Sequence, residues 1–166
     1  MQSSDINLET RLLQNGCVVL YHNPFLFEHD SNQLAISGWK YIQIYAGTEG
    51  TQAEFFEHIA IALDFPQYFG RNLNALNDCL RDLDFPDSGR LALGMDCFEV
   101  LVKHDPQFAH AVLDIIAGHE RGLLLSGKRL LVLVQSNDPD IHLPSVGSFP
   151  VPWNPEEWLD SKRQKK

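Results

Sequence analysis

The chain has 166 residues, of which 44% are hydrophobic and 21% charged. That is one domain plus a short excess, with enough apolar side chains to build a core, which excludes global disorder. Thirteen Lys and Arg stand against 22 Asp and Glu, for a net charge of −9. Four of the cations (Lys162, Arg163, Lys165 and Lys166) crowd the last five residues, so the preceding body is more acidic still. Such a body repels phosphate backbones and attracts basic partners, so direct nucleic-acid binding by the core is not expected.

No apolar run reaches the ~18 residues of a membrane helix, and no membrane association is expected. Met1 to Thr10 has neither the positive charge nor the apolar stretch of a secretory leader. Three cysteines (Cys17, Cys79 and Cys97) are too few and odd in number for a disulfide framework. They suit a reducing cytoplasm.

The first predicted element is a strand over Cys17–Tyr21, apolar and β-branched. Residues 22–39 read as irregular, with a helical turn near Asn32–Ile36. Tyr41–Tyr45 is a second strand, ended by Gly47-Thr48-Glu49-Gly50. Thr51 and Glu54 form a capping box, and Phe55, Ile59, Ala62 and Leu63 follow at helical spacing, which predicts a helix over 51–64. Pro66 closes it, and 67–71 is a loop. Asn72 then caps a helix over 73–83 with Leu73, Leu76, Leu80 and Leu83 on one stripe. Leu91–Met95 is a third strand. A short helix over 98–103 and a longer one from Pro106 to about Glu120 come next, the latter with proline at its first position. Arg129–Val134 is the most hydrophobic strand and is expected at the sheet centre. Five prolines between 139 and 155, then one helical turn expected over Glu156–Asp160 with Trp158, and a basic tail, describe an ordered arm. It either covers core surface, extends an interface, or touches nucleic acid weakly through its basic tip. Strands alternating with helices predict an α/β fold with a small, mainly parallel sheet packed with helices.

Candidate chemistry is sparse. The 47–51 turn lies where phosphate loops lie, but it lacks their glycine and lysine pattern, and Glu49 opposes an anion. The seven histidines show no metal-ligand spacing. Cys79, beside Leu80 on the 73–83 helix, is most simply a packed thiol. Asp82, Asp84, Asp138 and Asp140 read as solvated carboxylates. No nucleophile–base pair is apparent, so no catalytic residue, metal or cofactor is expected. What remains is the 66–81 segment. Its helix has a polar face carrying Asn74, Asn77, Asp78 and Arg81, with Arg71 on the same side. Tyr68, Phe69 and Gly70 lie in the loop before it. An aromatic beside a polar helix face has the composition of an interaction surface, although an ordinary exposed helix looks similar.

Pro66, Tyr68, Phe69, Gly70, Asn72, Leu73, Asn74, Ala75, Leu76, Asp78, Cys79 and Leu80 resemble the signature of the barstar family, the protein inhibitors of barnase-type ribonucleases. The resemblance covers about residues 40–136. It divides the chain into an N-terminal extension (1–37), a barstar-like domain (38–136) and the arm and tail (137–166). It implies a parallel sheet with helices around it, no catalytic activity, and a helix and preceding loop that plug a ribonuclease active site. The implied phosphate-mimicking acid is Asp78, the implied packing aromatic is Tyr68, and Gly70 would allow close backbone approach. The partner-binding set is then Tyr68, Phe69, Gly70, Arg71, Asn74, Asn77, Asp78 and Arg81, and the partner a basic ribonuclease or other nuclease toxin. Two positions depart from the pattern. Asn74 replaces a second acid and Asn77 replaces a tryptophan, which leaves the partner's identity open. Glu120 or Asp114 are candidates for an acid contributed by the later helix. A binding module with a non-nuclease partner, and a small α/β enzyme, are the alternatives.

Overall fold

The computed structural model describes residues 7–158 and Arg163. Four strands, β1 (Val18–Tyr21), β2 (Lys40–Tyr45), β3 (Arg90–Asp96) and β4 (Arg129–Gln135), form one wholly parallel sheet in the order β1-β4-β3-β2. The expectation of an α/β fold with β4 in the interior holds. β4 is apolar on both faces because it is flanked on both sides and covered above and below.

One face of the sheet packs on α3 (Gln52–Ala62), α4 (Leu73–Arg81), α5 (Glu99–His104) and α6 (Pro106–Gly118). Ile44, Leu91, Leu93, Met95, Val132 and Val134 point to these helices. The other face packs on α1 (Leu8–Leu12) and α2 (Pro24–Ile36) through Val19, Tyr21, Ala92, Leu131 and Leu133. A short α7 (Glu120–Leu125) leads into β4.

Helix α2 corrects the reading of 22–39 as irregular. Asn23 caps it by accepting from the Phe25 and Leu26 amides, and Pro24 takes the first turn. That start signal is the one that announces α6. It was obscured because α2 lacks an apolar stripe: Asp30 and Ser31 are buried beside Phe27 and Leu34. Asp30 is tolerated because its Oδ2 accepts the Tyr21 hydroxyl at 2.7 Å. Helices α1 and α7 were not anticipated either. Both are short, and neither has room for an apolar period.

Helix α3 is capped by Thr51 as expected, its side chain accepting from the Glu54 amide. Glu54, however, reaches further back than a capping box requires. Its carboxylate accepts from the amides of Thr48, Glu49 and Gly50 at 2.9, 3.0 and 3.1 Å, and these hydrogen bonds hold its pKa below the usual carboxylate range. Gly47, at φ +112, leaves space for that carboxylate. The anion position of the 47–51 turn is thus filled from within the chain.

The arm docks on the free edge of β1. The Leu20 amide donates to Pro152 O and the Asn154 amide donates to Leu20 O, both at 2.8 Å. Buried Glu157 accepts from the His22 and Asn23 amides, just beyond the end of β1. Ile141, Leu143 and Val146 join the core. Arg163 stacks on Trp153 and donates to the carbonyls of Pro139, Glu157 and Trp158. The arm therefore covers core surface. Of the basic tail, Lys162, Lys165 and Lys166 lie outside the described residues, as does the end of the turn expected over 156–160. Within that turn, Pro155–Glu157 is a single 3-10 turn.

Candidate protein-interaction site

The candidate site is the loop 64–71 and helix α4. Helix α3 ends at Ala62 with Leu63 as its C-cap, and Asp64 turns the chain in the left-handed region at φ 53. Phe69 is buried, edge-on to Phe56 at 5.9 Å and tilted against Phe65 at 5.0 Å. It anchors the loop to the core. Tyr68, its neighbour, is consequently turned outward and is 87% exposed. The expected partner-binding pair therefore splits: Tyr68 is presented to solvent, whereas Phe69 is a packing residue.

Arg71, not Gly70, is the left-handed residue that leads into α4, at φ 51. Gly70 is exposed, and a side chain there would meet Asn72 and Ala75 at 3.1 and 3.5 Å. Asn72 then ties loop to helix with both ends of its amide. Nδ2 donates to Gly70 O at 3.1 Å, and Oδ1 accepts from the Ala75 amide at 2.8 Å. This is the expected N-cap.

Leu76 and Leu80 of α4 are buried, and Leu73, Ala75 and Cys79 pack at the margin of the core. The polar face looks outward. Asn74, Asp78 and Arg81 are exposed, and Asp78 pairs with Arg81 at 3.5 Å with both side chains about two-thirds exposed. Asn77 is half-buried. Its Oδ1 accepts from His119 Nε2 at 2.9 Å, which links α4 to the end of α6. That bond requires the proton on Nε2. Burial, and then the Arg81 charge, hold the His119 pKa below its usual value. Asn77 thus occupies the pattern's tryptophan position with a helix-to-helix hydrogen bond.

Beside Tyr68 a groove of about 390 Å³ opens between the end of α3 and α4. Asp64, Asp78, Asp82 and Asp84, together with Lys40, line it over a floor that includes Ile42, Leu63 and Leu83, so four carboxylates face one cation. The sequence reading missed this convergence, because Asp64 and Asp84 come from outside the helix. Asp82 and Asp84 are exposed, as expected, but they share one concave surface with Asp78. The Cys79 thiol at the groove wall has its pKa raised, first by burial and then by Asp78 and Asp82. That argues against a reactive thiolate. Asp114 is not free for a partner on its own terms, since its Oδ1 accepts from the Gly147 amide at 2.9 Å. Glu120 is half-buried beside Cys17, and burial raises its pKa.

No group of three His, Cys, Asp or Glu among the described residues has the arrangement of a metal site. No helix among them is long and apolar enough to cross a membrane.

A family model for barstar, the barnase inhibitor, matches residues 39–135, more than half of the chain. The chain belongs to the barstar family. The match begins at Trp39, just before β2, and ends at Gln135, the last residue of β4, so it takes in loop 64–71 and α4 and omits β1, α2 and the arm. No curated protein matches the chain. Among solved structures it is similar to the Aeropyrum pernix ORC2 protein, solved as ADPNP–ADP complexes, at 18% identity and a TM-score of 0.50. The similarity covers 79% of this chain and only 38% of that one. At that identity it speaks for the fold alone.

Proposed function

We propose that this protein is a non-enzymatic inhibitor that blocks the active site of a basic ribonuclease-type toxin within the cell that makes it. The observation that carries the reading is Asp78. It holds the family's acidic motif position, is exposed on α4, and lies beside the outward-turned Tyr68 on an acidic concave surface. A ribonuclease active site is a basic surface built for phosphates. An acidic body is steered to such a surface and associates with it rapidly. Asp78 then stands where a substrate phosphate would, Tyr68 packs on the enzyme, and Gly70 and Arg71 lie on the loop at the contact. Asn74 and Arg81 flank Asp78 on the same exposed face.

Two features tune the surface away from the family pattern. Asn74 removes one negative charge. Arg81 neutralises part of another by pairing with Asp78. Both favour a partner site with fewer or differently spaced cations. Mixing the protein with a barnase-type ribonuclease tests the reading. A one-to-one complex by native mass spectrometry, with loss of RNA cleavage at equimolar protein, is the expected outcome. Full cleavage in the presence of excess folded protein contradicts inhibition of that enzyme class.

A further inference from the structure

A parallel sheet covered by helices on both faces is expected to be apolar on both. The face toward α3 and α4 obeys: Ile42, Ile44, Leu91, Leu93 and Met95 line it. The face toward α2 is apolar over β1 and β4 but departs from this toward the carboxyl ends of β2 and β3. Alternation along β2 and β3 places Tyr41, Gln43, Gly94 and Asp96 on that side, with Gln43 level with Gly94 and Tyr41 and Asp96 one step to either side along the ladder. They line or border a cleft of about 370 Å³ between α2 and the strands. We infer that this cleft is a second binding site, which takes a small organic cation bearing an ammonium or guanidinium group.

The cleft is built by specific choices. A Cβ at Gly94 would collide with the Tyr41 hydroxyl and come within 2.6 Å of its ring. Only glycine lets Tyr41 lie across β3. The Tyr41 hydroxyl donates to Gln43 Oε1, and Gln43 Nε2 donates to Asp96 Oδ1 at 3.0 Å, so the carboxylate is held in one orientation. The rim is also fixed. Cys97 sits at φ 53, strained for a non-glycine residue, and its amide donates to Gln135 Oε1 at 3.0 Å. Buried Gln135 in turn donates to His22 O and Asn137 Oδ1, both at 3.1 Å.

Position and charge name the ligand. Asp96, Cys97, Gln135 and Asn137 mark the carboxyl ends of β3 and β4. The β1-to-β2 crossover, α2, covers one face of the sheet, and the helices of the next two crossovers cover the other. The mouths of such reversals in parallel sheets are where ligands lodge. The lining carries Asp96 and Glu28 and, among the described residues, no lysine, arginine or histidine. A phosphate or carboxylate would be repelled. A cation is attracted, with the Tyr41 and Phe27 rings as apolar walls. The volume suits a molecule of small-metabolite size rather than a peptide.

The test is a titration of the ¹⁵N-labelled full chain with agmatine, with glycerol as neutral and AMP as anionic probe. Saturable shifts at the amides of Gln43, Cys97 and Asn137 are expected with agmatine alone. Asp96→Asn weakens that binding by roughly tenfold or more, the loss of one charge-assisted bond. Asp87→Asn, on a distant turn, leaves it within about twofold. Should Asp96→Asn fail to fold, Glu28→Gln on the exposed rim decides, with an expected loss of about threefold. Shifts confined to the Asp78 groove, shifts that persist in the folded Asp96→Asn protein, or no saturable shift at all would overturn the proposal.

Discussion

Helices α4 and α2 cover opposite faces of the same sheet and are held there by different means. α4 is strongly two-faced: leucines go inward, and Asn74, Asp78 and Arg81 face water. Its attachment is mainly hydrophobic, with the Asn77–His119 bond at its margin, and its outer face is free to specialise. α2 has no such division. It buries Asp30 and Ser31 along with Phe27 and Leu34, and it leaves Phe25 and Ile36 exposed. Beside the apolar contacts of Phe27 and Leu34, its attachment includes a buried polar bond, from Tyr21 to Asp30. A helix held by apolar contacts can change its surface without losing its place. A helix held by a buried polar bond cannot lose one partner without a desolvation cost.

Substitutions separate the two. The largest expected effect is on binding. Asp78→Ala should weaken inhibition of a cognate ribonuclease by about 2–5 kcal/mol, because a desolvated cation of the enzyme is stranded. Its unfolding midpoint in urea should match the wild type. A matching loss of stability would make Asp78 a structural residue. Next is Asp30→Ala, expected to cost about 1–3 kcal/mol of stability by leaving the fully buried Tyr21 hydroxyl unpaired. Asp30→Asn keeps an acceptor and should lose less. Urea melts of both should leave the inhibition constant unchanged, and equal losses from the two would put the effect outside the Tyr21 bond.

A smaller effect, of opposite sign, is expected at Arg81. Removing it frees Asp78 from an exposed pair worth at most about 1 kcal/mol, so Arg81→Ala should bind the ribonuclease modestly more tightly. Weaker binding would instead make Arg81 a direct contact.

His119 adds a pH dependence. Its folded pKa lies below the ordinary value of 6.5, so the unfolded chain takes up the proton first. This residue therefore subtracts nothing well above pH 6.5, lowers stability as the pH falls through 6.5, and levels off below the depressed folded pKa. The difference in stability between wild type and His119→Gln, followed by urea melts across that range, should move in this direction. The smallest effect concerns Cys17, whose thiol is pushed up to about 12, first by burial and then by Glu120. It should resist alkylation by iodoacetamide at pH 8 until the protein unfolds.

The same contrast explains what the amino-acid sequence made legible. α4, its Asn72 cap and its loop could be read because an apolar stripe, a cap residue and a dense motif coincide within fifteen residues. α2 could not be read by periodicity, because the buried positions of Asp30 and Ser31 break it. The groove beside Asp78 was likewise hidden. Asp64 and Asp84 join it only through the left-handed turn at Asp64 and the chain's return toward β3. The inward turn of Phe69 depends on Phe56 and Phe65, one from α3 and one from the loop, and no local pattern announces it. The docking of the arm on β1 rests on Glu157 accepting amides more than a hundred residues away.

The most direct test of the account is RNA cleavage by a barnase-type ribonuclease, titrated with wild-type protein and with the Asp78→Ala and Asp96→Asn variants. The account predicts stoichiometric inhibition by wild type, the same by Asp96→Asn, and a loss of at least about thirtyfold in the inhibition constant for Asp78→Ala. Inhibition that survives Asp78→Ala would contradict the placement of the inhibitory surface on α4.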